Sequence, residues 1–105
     1  MIDLVEPRLM DWMIEIRRDL HQHPELGWQE VRTAAKIESV LKDLGLDARR
    51  VRGTGVVADL AGPDGPPIIA LRADIDALPI QEETGLPYTS VNDGVMHACG
   101  HDAHA

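Results

Sequence analysis

The segment PIIALRAD, residues 67–74, decides how the fold is interpreted. Its four consecutive nonpolar residues, IIAL (68–71), have no polar face, which is typical of a strand buried on both sides of a sheet. The sequence therefore predicts that IIAL is an interior strand. Two shorter strands are predicted before it, in LDARRV (46–51) and GVVADLAG (55–62). The link GPDGPP (62–67) consists of turn-forming residues and predicts a hairpin between the second and third strands.

A helical period precedes these strands. Nonpolar residues recur three and four positions apart, which predicts an amphipathic helix that begins near Pro7 and ends at Pro24. A second helix is predicted from near Trp28 to Gly45. Gly45 marks its end, because a glycine that follows a helix readily adopts the left-handed conformation. No Ser, Thr, Asp or Asn precedes it as a cap. Trp12 and Trp28 are expected to be core anchors. The pattern predicts an α/β fold with two helices packed on a sheet of at least three strands.

The composition bounds the class of protein. The 105 residues have room for one small domain. The formal net charge of −8 argues against nucleic acid and anionic membranes as partners, because the average surface would repel both. No run approaches the roughly 18 nonpolar residues of a membrane span, and no leader pattern begins the chain, so we expect a cytoplasmic protein. The single cysteine, Cys99, is a buried nonpolar residue, a reactive thiol or a metal ligand.

Two aspartates follow the predicted central strand. Asp74 and Asp76 are two positions apart, so an extended backbone would turn both carboxylates to one side. At the carboxyl end of a strand, such a pair could bind a cation or orient a histidine ligand. The alternative is that one carboxylate caps a turn and the other is solvated.

The last ten residues, MHACGHDAHA (96–105), carry three of the five histidines and the only cysteine. His97, Cys99 and His101 alternate, so an extended backbone would place all three on one face. Imidazole and thiolate are ligands that zinc and similar metals prefer. The cluster therefore predicts a metal site, and the alternative is a buried cysteine beside surface histidines.

Four other polar residues attract attention but receive structural interpretations. His21 and His23 lie where the first helix is predicted to end, a position at which histidine commonly interacts with the carbonyl end of the helix dipole. Glu82 and Glu83 lie in a segment without periodicity, and we expect both to be solvated loop carboxylates.

Three motifs in order carry a family resemblance: RRDLHQHPELGWQE (17–30), RADIDALPIQEETGLPY (72–88) and MHACGHDAH (96–104). Together they resemble the amino-terminal third of the aminoacylase/hippurate hydrolase family, which includes hydrolases of indoleacetyl amino acids. The resemblance extends from about Ile14 to Ala105. It implies that residues 1–105 are the amino-terminal portion of a three-layer α/β, aminopeptidase-like catalytic domain of the zinc-peptidase type, without the lid domain.

The resemblance also implies an activity and a site. The family consists of di-metal amidohydrolases that cleave N-acyl amino acids or related small amides with a metal-activated water. By position, Cys99 and His101 match two metal ligands, and Asp76 matches the catalytic aspartate that orients the metal-bound chemistry. Asp74 stands where related enzymes often have a histidine ligand, so its role stays open. The family's catalytic glutamates lie downstream of the last motif and do not correspond to Glu82. Two divalent ions, manganese, zinc or nickel, are implied.

These features predict part of an amidohydrolase that is inactive by itself, acts on a small-molecule substrate when whole and can form homo-oligomers at full length. One alternative is a small non-catalytic metal-binding module that uses Cys99 and nearby histidines. Another is a fold remnant without a role. Metal content separates the first two possibilities, because a module would retain about one tightly bound ion per chain.

Overall fold

The computed structural model describes residues 5–105, so residues 1–4 of the predicted domain lie outside the described part. Its elements in chain order are α1 (Pro7–Gln22), α2 (Val31–Asp43), β1 (Arg49–Val51), β2 (Gly55–Val57) and α3 (His101–His104). The two strands form one antiparallel hairpin in which Arg50 lies opposite Val56. Helix α1 contacts α3, and α2 packs against β2. None of the helices within residues 5–105 is long and nonpolar enough to cross a membrane.

Helix α1 begins and ends where the sequence predicts. Pro7 occupies its first position, where the missing N–H removes no helical hydrogen bond, and the Glu6 carboxylate accepts a hydrogen bond from the Leu9 N–H at 3.2 Å. The helix ends at Gln22, two residues before Pro24, and the His23 N–H donates to the Leu20 carbonyl. The predicted helix near Pro7–Pro24 is confirmed.

Helix α2 is capped by a residue that lies several positions before it in the sequence. Its N-cap residue, Glu30, makes no capping hydrogen bond with its side chain. The Glu25 carboxylate takes this role, since it accepts hydrogen bonds from the Thr33 N–H at 2.6 Å and the Arg32 N–H at 3.0 Å. A carboxylate is also favoured there by the helix dipole. At the other end Gly45 has φ +84°, as predicted for a terminating glycine.

The hairpin differs from the predicted one. Strands β1 and β2 lie within the first two predicted strands, and the turn between them uses Arg52 and Gly53 with φ +50° and +87°. Gly55 is required for this close pairing, because a Cβ there would lie 2.6 Å from the Val51 carbonyl oxygen. The prediction of a hairpin through GPDGPP is therefore wrong. The hairpin in the structure joins β1 to β2 through the turn at Arg52 and Gly53.

The predicted interior strand at IIAL is also wrong. Residues 58–74 form no strand, and Ile68, Ile69 and Leu71 are 96%, 80% and 96% exposed. A nonpolar run becomes an interior strand only where other strands bond its edges and other layers cover its faces. No element within residues 5–105 pairs with this segment. The run is thus nonpolar surface without a covering layer in the described chain.

The buried nonpolar core within residues 5–105 is small and consists of Leu20, Ala34, Ala48 and Ala77. The prediction that both tryptophans are core anchors is wrong, because Trp12 is 38% and Trp28 is 77% exposed. Trp28 lies in the turn before α2 with φ +66°. Leu9 and Met13 of the nonpolar stripe of α1 are likewise exposed, at 44% and 47%.

Backbone bridges bring the three sequence motifs together. The Ala77 N–H donates to the Glu25 carbonyl at 2.8 Å, which ties the residue after Asp76 to the turn that follows α1. Leu78 and Met96 exchange two backbone hydrogen bonds of 2.9 and 3.0 Å. The aspartate segment therefore lies between the turn after α1 and the histidine-rich segment.

Replacing Glu25 with alanine removes the acceptor from two N–H groups at the start of α2. The free energy of unfolding should fall by about 0.5–2 kcal/mol, the usual effect of losing a helix N-cap. Urea unfolding followed by far-ultraviolet circular dichroism measures this loss. Glu83→Ala is the matched control, because Glu83 is exposed and caps nothing within residues 5–105. Equal losses in the two variants would show that Glu25 does not cap α2.

Candidate metal centre

The side chains of Asp76 and His101 meet in the structure. His101 Nδ1 lies 2.9 Å from Asp76 Oδ1 and 3.0 Å from the Asp76 carbonyl oxygen. Both oxygens can only accept, so Nδ1 carries the proton and donates to them. In the neutral form of the ring, Nε2 then presents a lone pair. A carboxylate behind one nitrogen and a lone pair on the other is the arrangement in which histidine commonly binds metals.

Asp74 approaches the opposite side of the same ring. Its Oδ2 lies 3.9 Å from His101 Nε2, which is beyond hydrogen-bond distance, while its Oδ1 accepts a hydrogen bond of 2.7 Å from Arg72. The two aspartates thus both face His101, but only Asp76 is bonded to it. Among residues 5–105, no side chain forms a hydrogen bond with His101 Nε2.

Cys99 is an exposed free thiol two residues before His101. Gly100 between them has φ +89°, and the chain turns there into α3, which begins at His101. The left-handed residue breaks the extended alternation assumed from the sequence. In addition, His97 is buried while Cys99 is exposed, so the prediction that His97, Cys99 and His101 share one face is wrong.

The part of the chain that the structure describes contains no cluster of three or more His, Cys, Asp or Glu side chains arranged to hold a metal ion. The pair Cys99 and His101 therefore stays a prediction as a shared metal site. The donor types fit a divalent metal, since sulfur and imidazole nitrogen are zinc ligands, the thiol is exposed and the His101 ring is already oriented.

His97 lies beside this pair and is 4% exposed. Neither ring nitrogen has a hydrogen-bond partner among residues 5–105. Burial lowers the pKa of His97 because it disfavours the imidazolium, although the nearby Asp102 carboxylate opposes this effect. An unpaired buried polar group costs about 1–3 kcal/mol, so the imidazole requires a partner such as a bound water.

A second polar cluster, here called the His21 cluster, consists of His21, Glu82 and Asp102. His21 Nδ1 lies 2.9 Å from Asp102 Oδ2, and His21 Nε2 lies 3.1 Å from both carboxylate oxygens of Glu82. All three residues are buried. Glu82 was predicted to be solvated, and this is wrong because it is only 8% exposed; Glu83 is exposed as predicted.

The Glu82 carboxylate is held ionised by its neighbours. Burial by itself would raise its pKa, but the Thr84 hydroxyl, the Ser90 N–H and the His21 ring all donate to the carboxylate and together lower its pKa to about 2. The loop from Glu82 to Ser90 is thereby folded around the carboxylate. Glu82 is a fixed anion at physiological pH.

The histidines at the end of α1 have different roles. The His23 ring donates to the Asp19 carbonyl at 2.9 Å, so the predicted interaction with the end of the helix is confirmed for His23. His21 instead makes no helix cap with its ring and lies between two carboxylates. Sequence reasoning missed Asp102 as its partner. The available signal was a carboxylate inside the motif HDAH, directly after the candidate ligand His101.

Glu82→Gln keeps the size of the side chain and removes its ionisation. Because the folded-state pKa is about 2 against an ordinary value of 4.5, ionised Glu82 stabilises the chain above about pH 4.5, and this contribution is lost as the pH falls through about 2. The free energy of unfolding should fall more steeply between pH 5 and 2 in the wild type than in Glu82→Gln. Glu83→Gln should parallel the wild type. Parallel profiles for the wild type and Glu82→Gln would contradict the assignment.

Comparison with known proteins connects this geometry to a family. Residues 70–105, which include Asp76, Cys99 and His101, match the model of peptidase family M20/M25/M40. The chain is 58% identical over 93 residues to N-acetyl-L-cysteine deacetylase of Bacillus subtilis (strain 168), an alignment that covers 88% of this chain and 22% of that protein. It is 46% identical over 105 residues to N-acyl-L-amino acid amidohydrolase of Geobacillus stearothermophilus, covering 99% and 27% of the two chains.

The fold is similar to a crystal structure of a dinuclear metal-binding peptidase of the M20 family from Bacillus subtilis. The TM-score is 0.90 at 50% identity, over 94% of this chain and 28% of that one. The similarity confirms the predicted α/β fold class. The chain spans about a quarter of the length of these proteins. Residues 70–105 thus belong to peptidase family M20/M25/M40, and the chain as a whole shares the fold of the corresponding part of a member of that family.

Proposed function

We propose that this chain forms the amino-terminal portion of the catalytic domain of a metal-dependent amidohydrolase that cleaves N-acyl amino acids. The observation that carries the proposal is the Asp76–His101 pair, which leaves His101 Nε2 with an oriented lone pair two residues from the Cys99 thiol. The names of the related deacetylase and amidohydrolase support this substrate class.

In this proposal Cys99 and His101 supply ligands to a two-metal centre. Asp76 holds the His101 ring in one orientation with the proton on Nδ1, so that Nε2 would be available to an ion without reorientation of the ring. Bound divalent ions would supply a water of lowered pKa and polarise the amide carbonyl of the substrate. Zinc suits thiolate and imidazole best, and manganese and nickel are the other candidates.

The described residues cannot complete such a centre, because they bring too few ligands together for two ions. We therefore expect the isolated chain to bind metal weakly and to hydrolyse nothing. The alternative module would instead retain about one ion per chain after dialysis. Elemental analysis of the purified chain distinguishes the two, and one tightly retained ion that depends on Cys99 would favour the module.

Asp76→Asn should weaken zinc binding by about 10–100-fold, the usual effect of losing the partner that orients a histidine ligand. The amide also has a donor end, so it no longer fixes the proton on Nδ1. Competition with a chromophoric chelator measures the affinity. The control is Asp11→Asn, which removes the same charge from an exposed position on α1. Equal affinity in the wild type and Asp76→Asn would remove Asp76 from the centre.

A chimera tests the activity itself. This chain would replace the matching segment of the Bacillus subtilis deacetylase, to which it is 58% identical. We expect the chimera to hydrolyse N-acetyl amino acids and to lose at least about 10–100-fold in activity on Cys99→Ser, since a ligand matters no less than its outer partner. A folded chimera without activity would contradict the proposed function, and an active one indifferent to Cys99→Ser would remove Cys99 from the site.

A further inference from the structure

We propose that His21 is a positioning residue for the metal centre, which acts through Asp102 to fix the turn that carries His101. This inference rests on the proposed role of His101 as a metal ligand. His21 lies 81 residues before Asp102 in the sequence, yet their side chains are joined by a bond of 2.9 Å. Apart from its bond to Glu82, no role derived above uses this histidine.

The imidazole of His21 is enclosed between two carboxylates. Its side chain is 5% exposed, and those of Asp102 and Glu82 are 2% and 1% exposed. Both ring nitrogens face carboxylate oxygens, and hydrogen bonds to charged groups in a buried setting are stronger than neutral ones. The ring therefore has a single orientation, with Nδ1 directed at Asp102 and Nε2 at Glu82.

Glu82 holds the His21 ring in place on the side away from Asp102. Its carboxylate is fixed by donors from Thr84 and Ser90 as well as by His21. The Tyr88 ring contacts the edge of the imidazole with a centroid separation of 5.6 Å. His21 is thus held from the side opposite Asp102, and any displacement of Asp102 would have to break a bond to a fixed group.

The short helix α3, which carries His101 and Asp102, needs this contact to keep its position. Helix α3 has four residues, and its N–H groups at Ala103 and His104 both donate to the Gly100 carbonyl. A single helical turn is unstable by itself. Asp102, the second residue of α3, also accepts a bond of 3.0 Å from Arg17, but that arginine side chain is 43% exposed and its ion pair is weakened by solvent.

His101 is consequently held from two directions. Asp76 fixes the ring, and His21 fixes the backbone beside it through Asp102. Without the second anchor, the turn that carries His101 would move relative to Asp76, and the Nδ1 proton would lose its acceptors for part of the time. The oriented lone pair of Nε2 depends on both contacts.

Two amide variants separate positioning from simple stability. The Asn amide nitrogen takes the place of imidazole Nδ1, so His21→Asn keeps the donor to Asp102. The Gln amide nitrogen takes the place of Nε2, so His21→Gln keeps only the donor to Glu82. Each variant loses one buried bond, and a merely structural histidine would respond to both alike.

The measurement is the histidine side-chain nitrogen spectrum of the full chain by NMR, at neutral pH and without metal. We expect His101 to be the Nδ1–H tautomer in the wild type and in His21→Asn, and a mixture of tautomers in His21→Gln. Zinc affinity should fall by about 10–100-fold in His21→Gln and by clearly less in His21→Asn. Equal His101 signals in the two variants would overturn the proposal.

Asp102→Asn covers the case in which a His21 variant fails to fold. It removes the anion that His21 and Arg17 contact while keeping the shape of the side chain, and it should also produce mixed His101 tautomers. An unchanged His101 signal would overturn the proposal. If the wild-type chain binds zinc too weakly to measure, as an incomplete centre allows, the tautomer of His101 alone decides whether His21 positions it, and the chimera tests the metal-dependent activity separately.

Discussion

The buried imidazole of His21, enclosed by the carboxylates of Glu82 and Asp102, joins three parts of the chain that are far apart in sequence. The buried nonpolar core of residues 5–105 is small, so hydrophobic burial alone does little to fix these parts against each other. Removing one member of a buried hydrogen-bonded set leaves the others without a partner, which typically costs about 1–3 kcal/mol for each group. The positions of α1, the loop after Glu82 and α3 thus depend on one another.

The turn after α1 has a similar joining role through its glutamate. The Glu25 carboxylate caps α2, while the Glu25 carbonyl accepts from the Ala77 N–H and so holds the residue next to Asp76. Asp76 in turn holds the His101 ring. Glu25, Asp76 and His101 are therefore connected, and residues of the first motif support a candidate ligand in the last.

Local patterns in the sequence predicted the local structure well. Both helices, the left-handed Gly45 and the two short strands follow from periodicity, proline and glycine, which act over a few residues. The prediction that IIAL and Trp28 are buried was wrong, because burial depends on covering elements that periodicity does not identify.

The candidate site shows the same division. Asp76 and His101 were named from their motifs, and the structure brings their side chains together. The partnership of His21 with Glu82 and Asp102 was missed, because each residue in isolation has an ordinary surface role and only the fold brings their side chains together. The sequence analysis did not predict that Glu25 caps α2, for the same reason.

The central claim is that Cys99 and His101 bind the same ion, with His101 oriented by Asp76. X-ray absorption spectroscopy of the zinc-loaded chain tests it most directly, because sulfur and nitrogen ligands differ in distance. The claim predicts one sulfur at about 2.3 Å and nitrogen at about 2.0–2.1 Å from zinc, with the sulfur shell absent in Cys99→Ser and the nitrogen shell reduced in His101→Ala. A wild-type zinc shell that contains no sulfur, or one that is unchanged in both variants, would contradict it.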